Sequence, residues 1–146
     1  MSGILNISEA TALAIHAMIY IEANSDRKVS TREIAEEFDA SEAHLSKVLQ
    51  RLVRSGYVKS VRGPKGGFTM EKQGSSLPLI HLYELFEGML PEDICMFQKS
   101  SCTLKRCAMD DFLGGMKRLV LDYMNDTTVN KLAGIYLKRK EEEREA

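Results

Sequence analysis

Three cysteines, Cys95, Cys102 and Cys107, fall within thirteen residues of a 146-residue chain. Six residues separate the first two and four separate the second two, which is not the tight pairing of a zinc ribbon. An odd number argues against a disulfide framework. Thiolates are the usual ligands of iron–sulfur clusters, and the longer spacing permits a loop that wraps an object larger than one ion. Lys99, Lys105 and Arg106 lie among the cysteines. Positive neighbours favour thiolates and offset the negative charge of a thiolate-bound cluster. On these residues alone four readings stay open: an iron–sulfur cluster, zinc, redox-active thiols, or inert cysteines. Three thiolates leave one of four positions to another residue. Glu9, His81, Asp110 and Asp111 are candidates. Each also has a plainer role: Glu9 in a helix cap with Asn6, the two aspartates at the start of a helix, His81 on a helix surface.

A second chemistry is electrostatic. Residues 43–72 carry Lys47, Arg51, Arg54, Lys59, Arg62, Lys65 and Lys72 against one acid, Glu71, although the whole chain has a formal net charge of −1. A basic block inside an otherwise acidic chain is the footprint of nucleic-acid binding. The alternatives are a solvated helix face, or a surface used for protein contacts, and the nearby acids Glu33, Glu36, Glu37 and Asp39 would repel DNA if they faced it.

The elements that must position these residues are legible in the apolar spacing. Ala10, Leu13, Ala14, Ala17, Met18 and Ile21 repeat with helical period over 7–21, capped by Asn6 or Ser8. Ser30 with Glu33 makes a capping box for a second helix that turns Ile34, Ala35 and Phe38 inward. After a short Asp39-Ala40 turn, Ser41 caps a third helix with Leu45, Val48, Leu49 and Leu52 on its buried stripe, ended by Gly56. Strands at Tyr57–Val61 and Phe68–Met70 then flank the tip Arg62-Gly63-Pro64-Lys65-Gly66-Gly67. Two helices, a tight turn and a basic hairpin spell a winged helix-turn-helix. A short helix follows over 78–87, then a long one over 103–125 with Met109, Leu113, Met116, Leu119, Val120 and Tyr123 at helical spacing. That length is too great to be covered by so small a domain, so its apolar face predicts a dimer. A last helix runs to Leu137, and the charged tail from Lys138 is expected to fray.

The fold class is therefore mainly α: a winged helix-turn-helix with a small two-stranded wing and a long C-terminal dimerisation helix. The expected divisions are 1–76, the DNA-binding domain; 77–102, a connecting helix and cysteine loop; 103–137, the dimerisation helix and final helix; and 138–146, the tail. The third helix would enter the major groove and offer Ser41, Ala43, His44, Ser46 and Lys47 to base edges. Arg51 and Arg54 suit phosphates. The wing tip offers Arg62 and Lys65, with Arg62 able to enter the minor groove. No apolar run reaches the roughly 20 residues of a membrane span, no charged leader precedes the first apolar segment, and the expected compartment is the cytoplasm. There is no nucleophile–base motif or nucleotide-binding glycine loop, so an enzyme is not expected.

The segments Ala40-Ser41-Glu42-Ala43-His44-Leu45, Leu52-Val53-Arg54-Ser55-Gly56-Tyr57-Val58 and Val61-Arg62-Gly63-Pro64-Lys65-Gly66-Gly67-Phe68 resemble the Rrf-two-type family of bacterial transcription regulators. The likeness runs from about Leu5 to Leu137. It implies a homodimer crossed through the long helix, a winged helix on a roughly palindromic double-stranded DNA operator, and an iron–sulfur cluster held by Cys95, Cys102 and Cys107, with 2Fe–2S and 4Fe–4S both open. It matches Arg62 to a wing arginine that enters the minor groove, and Ser46 and Lys47 to base-contacting positions. Two departures stand out. The cysteine gaps are unequal where relatives space them evenly, and Asp110 occupies the position where some members carry a ligating histidine. Glu9 matches the acidic fourth ligand that other members donate from the partner subunit. The resemblance thus implies a regulator whose operator binding responds to nitric oxide, oxygen, redox state or iron supply.

Overall fold

The computed structural model describes residues 5, 7–91, 103–104 and 107–146. At its centre lies α1 (Glu9–Ala23), in which Thr11, Ala14, Ala17, Met18 and Ile21 are fully buried. Small alanines on the inner face let neighbouring helices approach, and α3, α5 and α7 all pack on α1. Ser8 is the N-cap, its side chain accepting from the Thr11 N–H. Of the two expected caps it is therefore Ser8 that is present, and the helix starts two residues later than an Asn6 cap would place it: Glu9 is its first residue, and Asn6 lies outside the described residues.

The helix-turn-helix is α2 (Thr31–Glu37) and α3 (Glu42–Arg54). Both halves of the Ser30–Glu33 capping box are present. Ser41 caps α3 by accepting from the His44 N–H at 3.3 Å. Between the helices Asp39 adopts φ 49°, a left-handed conformation that Asp tolerates better than most residues. Leu45, Val48, Leu49 and Leu52 bury the inner stripe of α3. Gly56, at φ 78°, terminates it.

The wing is β1 (Val58–Val61) antiparallel to β2 (Gly67–Met70), with Val58 opposite Met70 and Val61 opposite Gly67. Val29, just before α2, exchanges N–H···O bonds of 2.8 and 3.0 Å with Phe68, so the wing is tied to the helix-turn-helix. Gly66 is required by close approach: a Cβ there would lie 2.2 Å from the Val61 carbonyl and 2.8 Å from that of Gly63.

A short α4 (Lys72–Ser75), not anticipated from the sequence, leads into α5 (Leu79–Glu87). The long helix is α6 (Asp110–Asp126), and α7 (Val129–Glu145) closes the chain. The α6 start corrects the expected one at residue 103: Thr103 and Leu104 are not helical, and Cys107 precedes a turn at 108–109. The tail is corrected too, because α7 continues through it to Glu145. The α6–α7 corner is pinned to the start of α5 by Leu79 N–H to Thr127 O (2.9 Å) and Val129 N–H to Leu77 O (3.0 Å). A second core of Leu79, Ile80, Tyr83 and Met124 joins α5 to α6, with Val120 packed against it. Among the described residues no helix is long and apolar enough to cross a membrane.

Candidate nucleic-acid interface

Opposite its buried stripe, α3 exposes Ala43, Lys47, Gln50 and Arg54, spaced so that they share one helix face. Ser46 and Arg54 open onto a groove closed on its other side by Ser60, Arg62 and Phe68 of the wing. Gln50 lines the same groove. Sequence reasoning passed over it, although it sits one turn beyond Ser46 and its amide can bond an adenine edge in two places. Arg62 and Lys65 are both exposed at the wing tip.

Three of the expected contacts have other partners within the chain. Ser41 spends its side-chain oxygen on the α3 cap. His44 Nδ1 lies 3.5 Å from the Glu9 carboxylate, joining α3 to the first turn of α1. The Arg51 guanidinium donates to the Leu85 carbonyl at 2.5 Å and lies 4.8 Å from the centre of the Phe86 ring.

Three of the four flanking acids are engaged. Glu33 accepts from the Ser30 N–H at 2.9 Å and from Arg27 at 2.7 Å. The Ser30 amide foremost, with Arg27 adding to it, holds its carboxyl below the usual range against the opposing effect of burial. Glu36 pairs with Arg32 at 2.8 Å. Glu37 accepts from the Tyr136 hydroxyl at 2.6 Å and the Lys140 ammonium at 2.5 Å, and these two, Lys140 foremost, depress its carboxyl. Asp39 is exposed at the tip of the turn.

Of the cysteines, Cys95 and Cys102 lie outside the described residues. Cys107 is half-buried and forms no disulfide among the described residues, and its sulfur accepts the Met109 N–H at 3.4 Å. An amide aimed at a sulfur is a contact that sulfur-ligated iron sites use, so this residue fits such a group. Among the described residues no three His, Cys, Asp or Glu side chains gather for a metal ion. The Glu9 side chain is 74% exposed. His81 pairs loosely with Glu84 at 3.7 Å. Asp110 and Asp111 form the first turn of α6, where carboxylates suit the positive end of the helix.

A helix-turn-helix carrying a basic wing, with cations on both the third helix and the hairpin, defines a winged-helix DNA-binding regulator. The chain belongs to the Rrf2 family, whose model, described as an iron-dependent transcriptional regulator, matches residues 7–134. An HTH-type transcriptional regulator of Aquifex aeolicus is 28% identical over 131 residues, covering 88% of this chain and 91% of its own. The structure of CymR, the global cysteine regulator of B. subtilis, matches with a TM-score of 0.73 at 22% identity, over 90% of this chain and 98% of its own. That of IscR from T. potens matches at 0.69 and 22%, over 97% and 93%. These two structures share the fold of this chain.

Proposed function

We propose that this regulator binds a roughly two-fold operator as a homodimer, and that its affinity depends on an iron–sulfur cluster held by Cys95, Cys102 and Cys107, with Glu9 of the partner subunit as the fourth ligand. The carrying observation is the half-buried Cys107, with an amide aimed at its sulfur three residues before α6 begins. The family's description as iron-dependent supports the choice of metal. When bound, such a cluster supplies a sulfur-ligated iron centre that responds to nitric oxide, oxygen, redox state or iron supply.

The remaining steps belong to the chain. Residues 1–76 form the reading head. In it Ala43, Ser46, Lys47 and Gln50 face base edges, Arg54 faces phosphate, and Arg62 and Lys65 reach from the wing toward the adjacent groove. Pairing of two heads is assigned to α6. Leu113 and Met124 face its own domain, while Phe112, Leu119 and Tyr123 are exposed on an adjoining face. Met116 shares their spacing, so the four form a heptad-like stripe suited to a second copy. Cys107 leads into α6 through the turn at 108–109, so a change in what Cys107 holds alters the start of the helix that sets the separation of the two heads. Such a switch requires the ligand to bind the two arrangements unequally.

The test is anaerobic purification followed by visible absorption and assay of iron and acid-labile sulfide. It is paired with binding to a duplex selected from random-sequence DNA, before and after chelation. The reading predicts a coloured protein containing iron and sulfide, whose affinity changes on chelation. A colourless protein with stoichiometric zinc would overturn the cluster and leave DNA binding standing. Peroxide-dependent disulfide formation without iron would point to a thiol switch instead.

A further inference from the structure

The geometry points to Arg51 as a positioning residue that fixes the recognition helix on the C-terminal turn of α5, rather than a phosphate contact. The inference rests on α3 being the helix that enters the groove. Arg51 lies outside the Ala43-Lys47-Gln50-Arg54 face. It shares a flank with His44, two turns earlier, and both are paired within the chain: His44 with Glu9 at 3.5 Å, Arg51 with Leu85 and Phe86.

The site that receives Arg51 is built for a cation. The last carbonyls of a helix lack partners and carry the negative end of its dipole. In α5 the Glu84 carbonyl is taken by the Gly88 N–H at 3.0 Å, and the Leu85 carbonyl by Arg51 at 2.5 Å. The Phe86 ring adds a face for the planar guanidinium at 4.8 Å. The same turn is held from a second direction. The Glu87 carboxylate accepts the Ser8 N–H at 2.7 Å and the hydroxyl of the fully buried Thr11, and the Ser8 and Thr11 bonds keep its carboxyl below the usual range. Leu85, Phe86 and Glu87 therefore join α3 to the start of α1, and any displacement of the end of α5 reaches the recognition helix through Arg51.

The experiment measures affinity, for a duplex selected from random-sequence DNA with the wild-type protein, across a salt series. The full-length proteins are Arg51→Lys, Arg51→Met, Phe86→Leu, the Arg51→Lys/Phe86→Leu double variant and Arg54→Ala. Melting curves establish that each is folded at the assay temperature. A positioning role predicts that Arg51→Lys and Phe86→Leu each weaken binding about three- to thirtyfold. It predicts that the double variant is no weaker than the worse single one, and that Arg51→Met leaves the salt slope unchanged. Arg54→Ala, by contrast, lowers the slope by about 0.9 for each phosphate it no longer neutralises. The proposal is overturned if Arg51→Lys binds like wild type while Arg51→Met lowers the slope as Arg54→Ala does. It is equally overturned if Phe86→Leu shifts only the melting temperature, which is what a purely structural contact would do. Failure of the wild-type protein to select any duplex would sink the reading role of α3 itself, and the positioning role with it.

Discussion

At Gly66 the wing has no room for a side chain. The obstructing atoms are the Val61 and Gly63 carbonyls, 2.2 and 2.8 Å from where a Cβ would stand, and backbone cannot swing aside as a flexible side chain would. Gly66→Ala must therefore break the Gly66 N–H to Gly63 O bond of 2.9 Å or the Val61–Gly67 pairing beyond it. Either displaces Arg62 and Lys65. The expected result is an affinity loss of about tenfold, equivalent to roughly 1.4 kcal/mol, with most of the thermal stability retained because the wing tip lies outside the core. Fluorescence anisotropy beside a melting curve checks this. Unchanged affinity would mean the wing makes no contact with the duplex.

Residue chemistry also sets a pH dependence. Glu37, Glu33 and Glu87 all have carboxyls depressed in the folded protein. A depressed carboxyl contributes stability that is complete above its unfolded value of about 4.3 and is lost as pH falls through the folded value. Stability should accordingly fall in acid below about pH 4.3. Glu37→Gln should flatten that fall and cost about 1 kcal/mol at neutral pH, the pair being partly screened by solvent. Urea unfolding at neutral and acid pH separates the two effects, and an acid limb as steep as that of the wild type would show that Glu37 is not among the groups responsible.

Among the elements, α6 and α7 do different work. The inner side of α6 is spent on α5. The face beside it leaves Leu119 at 72% exposure, with Phe112 and Tyr123 each at 57%. Leu119→Asp places a charge in that stripe without touching the core. It should leave the melting curve of the separated subunit intact and weaken self-association on the order of a hundredfold, because an unpaired charge buried at an interface costs several kcal/mol. Sedimentation equilibrium measures this. A dimer as tight as wild type would move the interface away from α6. In α7, Tyr136 and Lys140 reach back to Glu37 at the end of α2, so the element that follows the α6 stripe also grips the helix-turn-helix.

Across the whole molecule, what could be read from the sequence was local. The Ser30–Glu33 box, the Ser41 cap, the Gly56 stop and the glycine-rich hairpin each depend on residues within a few positions of one another, and all are present. What could not be read depends on distant partners. The charge-dense tail is expected from the sequence to fray, yet lysine, glutamate and arginine are good helix formers. The anchor that holds this segment is Glu37, about a hundred positions earlier. The contacts of Arg51 with Leu85 and Phe86 are likewise invisible from the sequence of α3, in which Arg51 reads only as a cation suited to phosphate. One local signal also escapes: apolar spacing alone places the start of α6 at residue 103, because it does not register the turn at 108–109. Of the candidate metal site, Cys107 is placed, Glu9 is found beside His44, and Cys95 and Cys102 lie outside the described residues.

The central claim is that the cysteine-held centre governs how the paired winged helices meet DNA. The most direct measurement takes Cys102→Ser and wild-type protein through the same anaerobic preparation, then determines iron content and affinity for the selected duplex on the same samples. The account predicts that the variant loses its iron and that its affinity moves to that of chelated wild-type protein. Iron content and affinity both equal to those of the untreated wild type would contradict it.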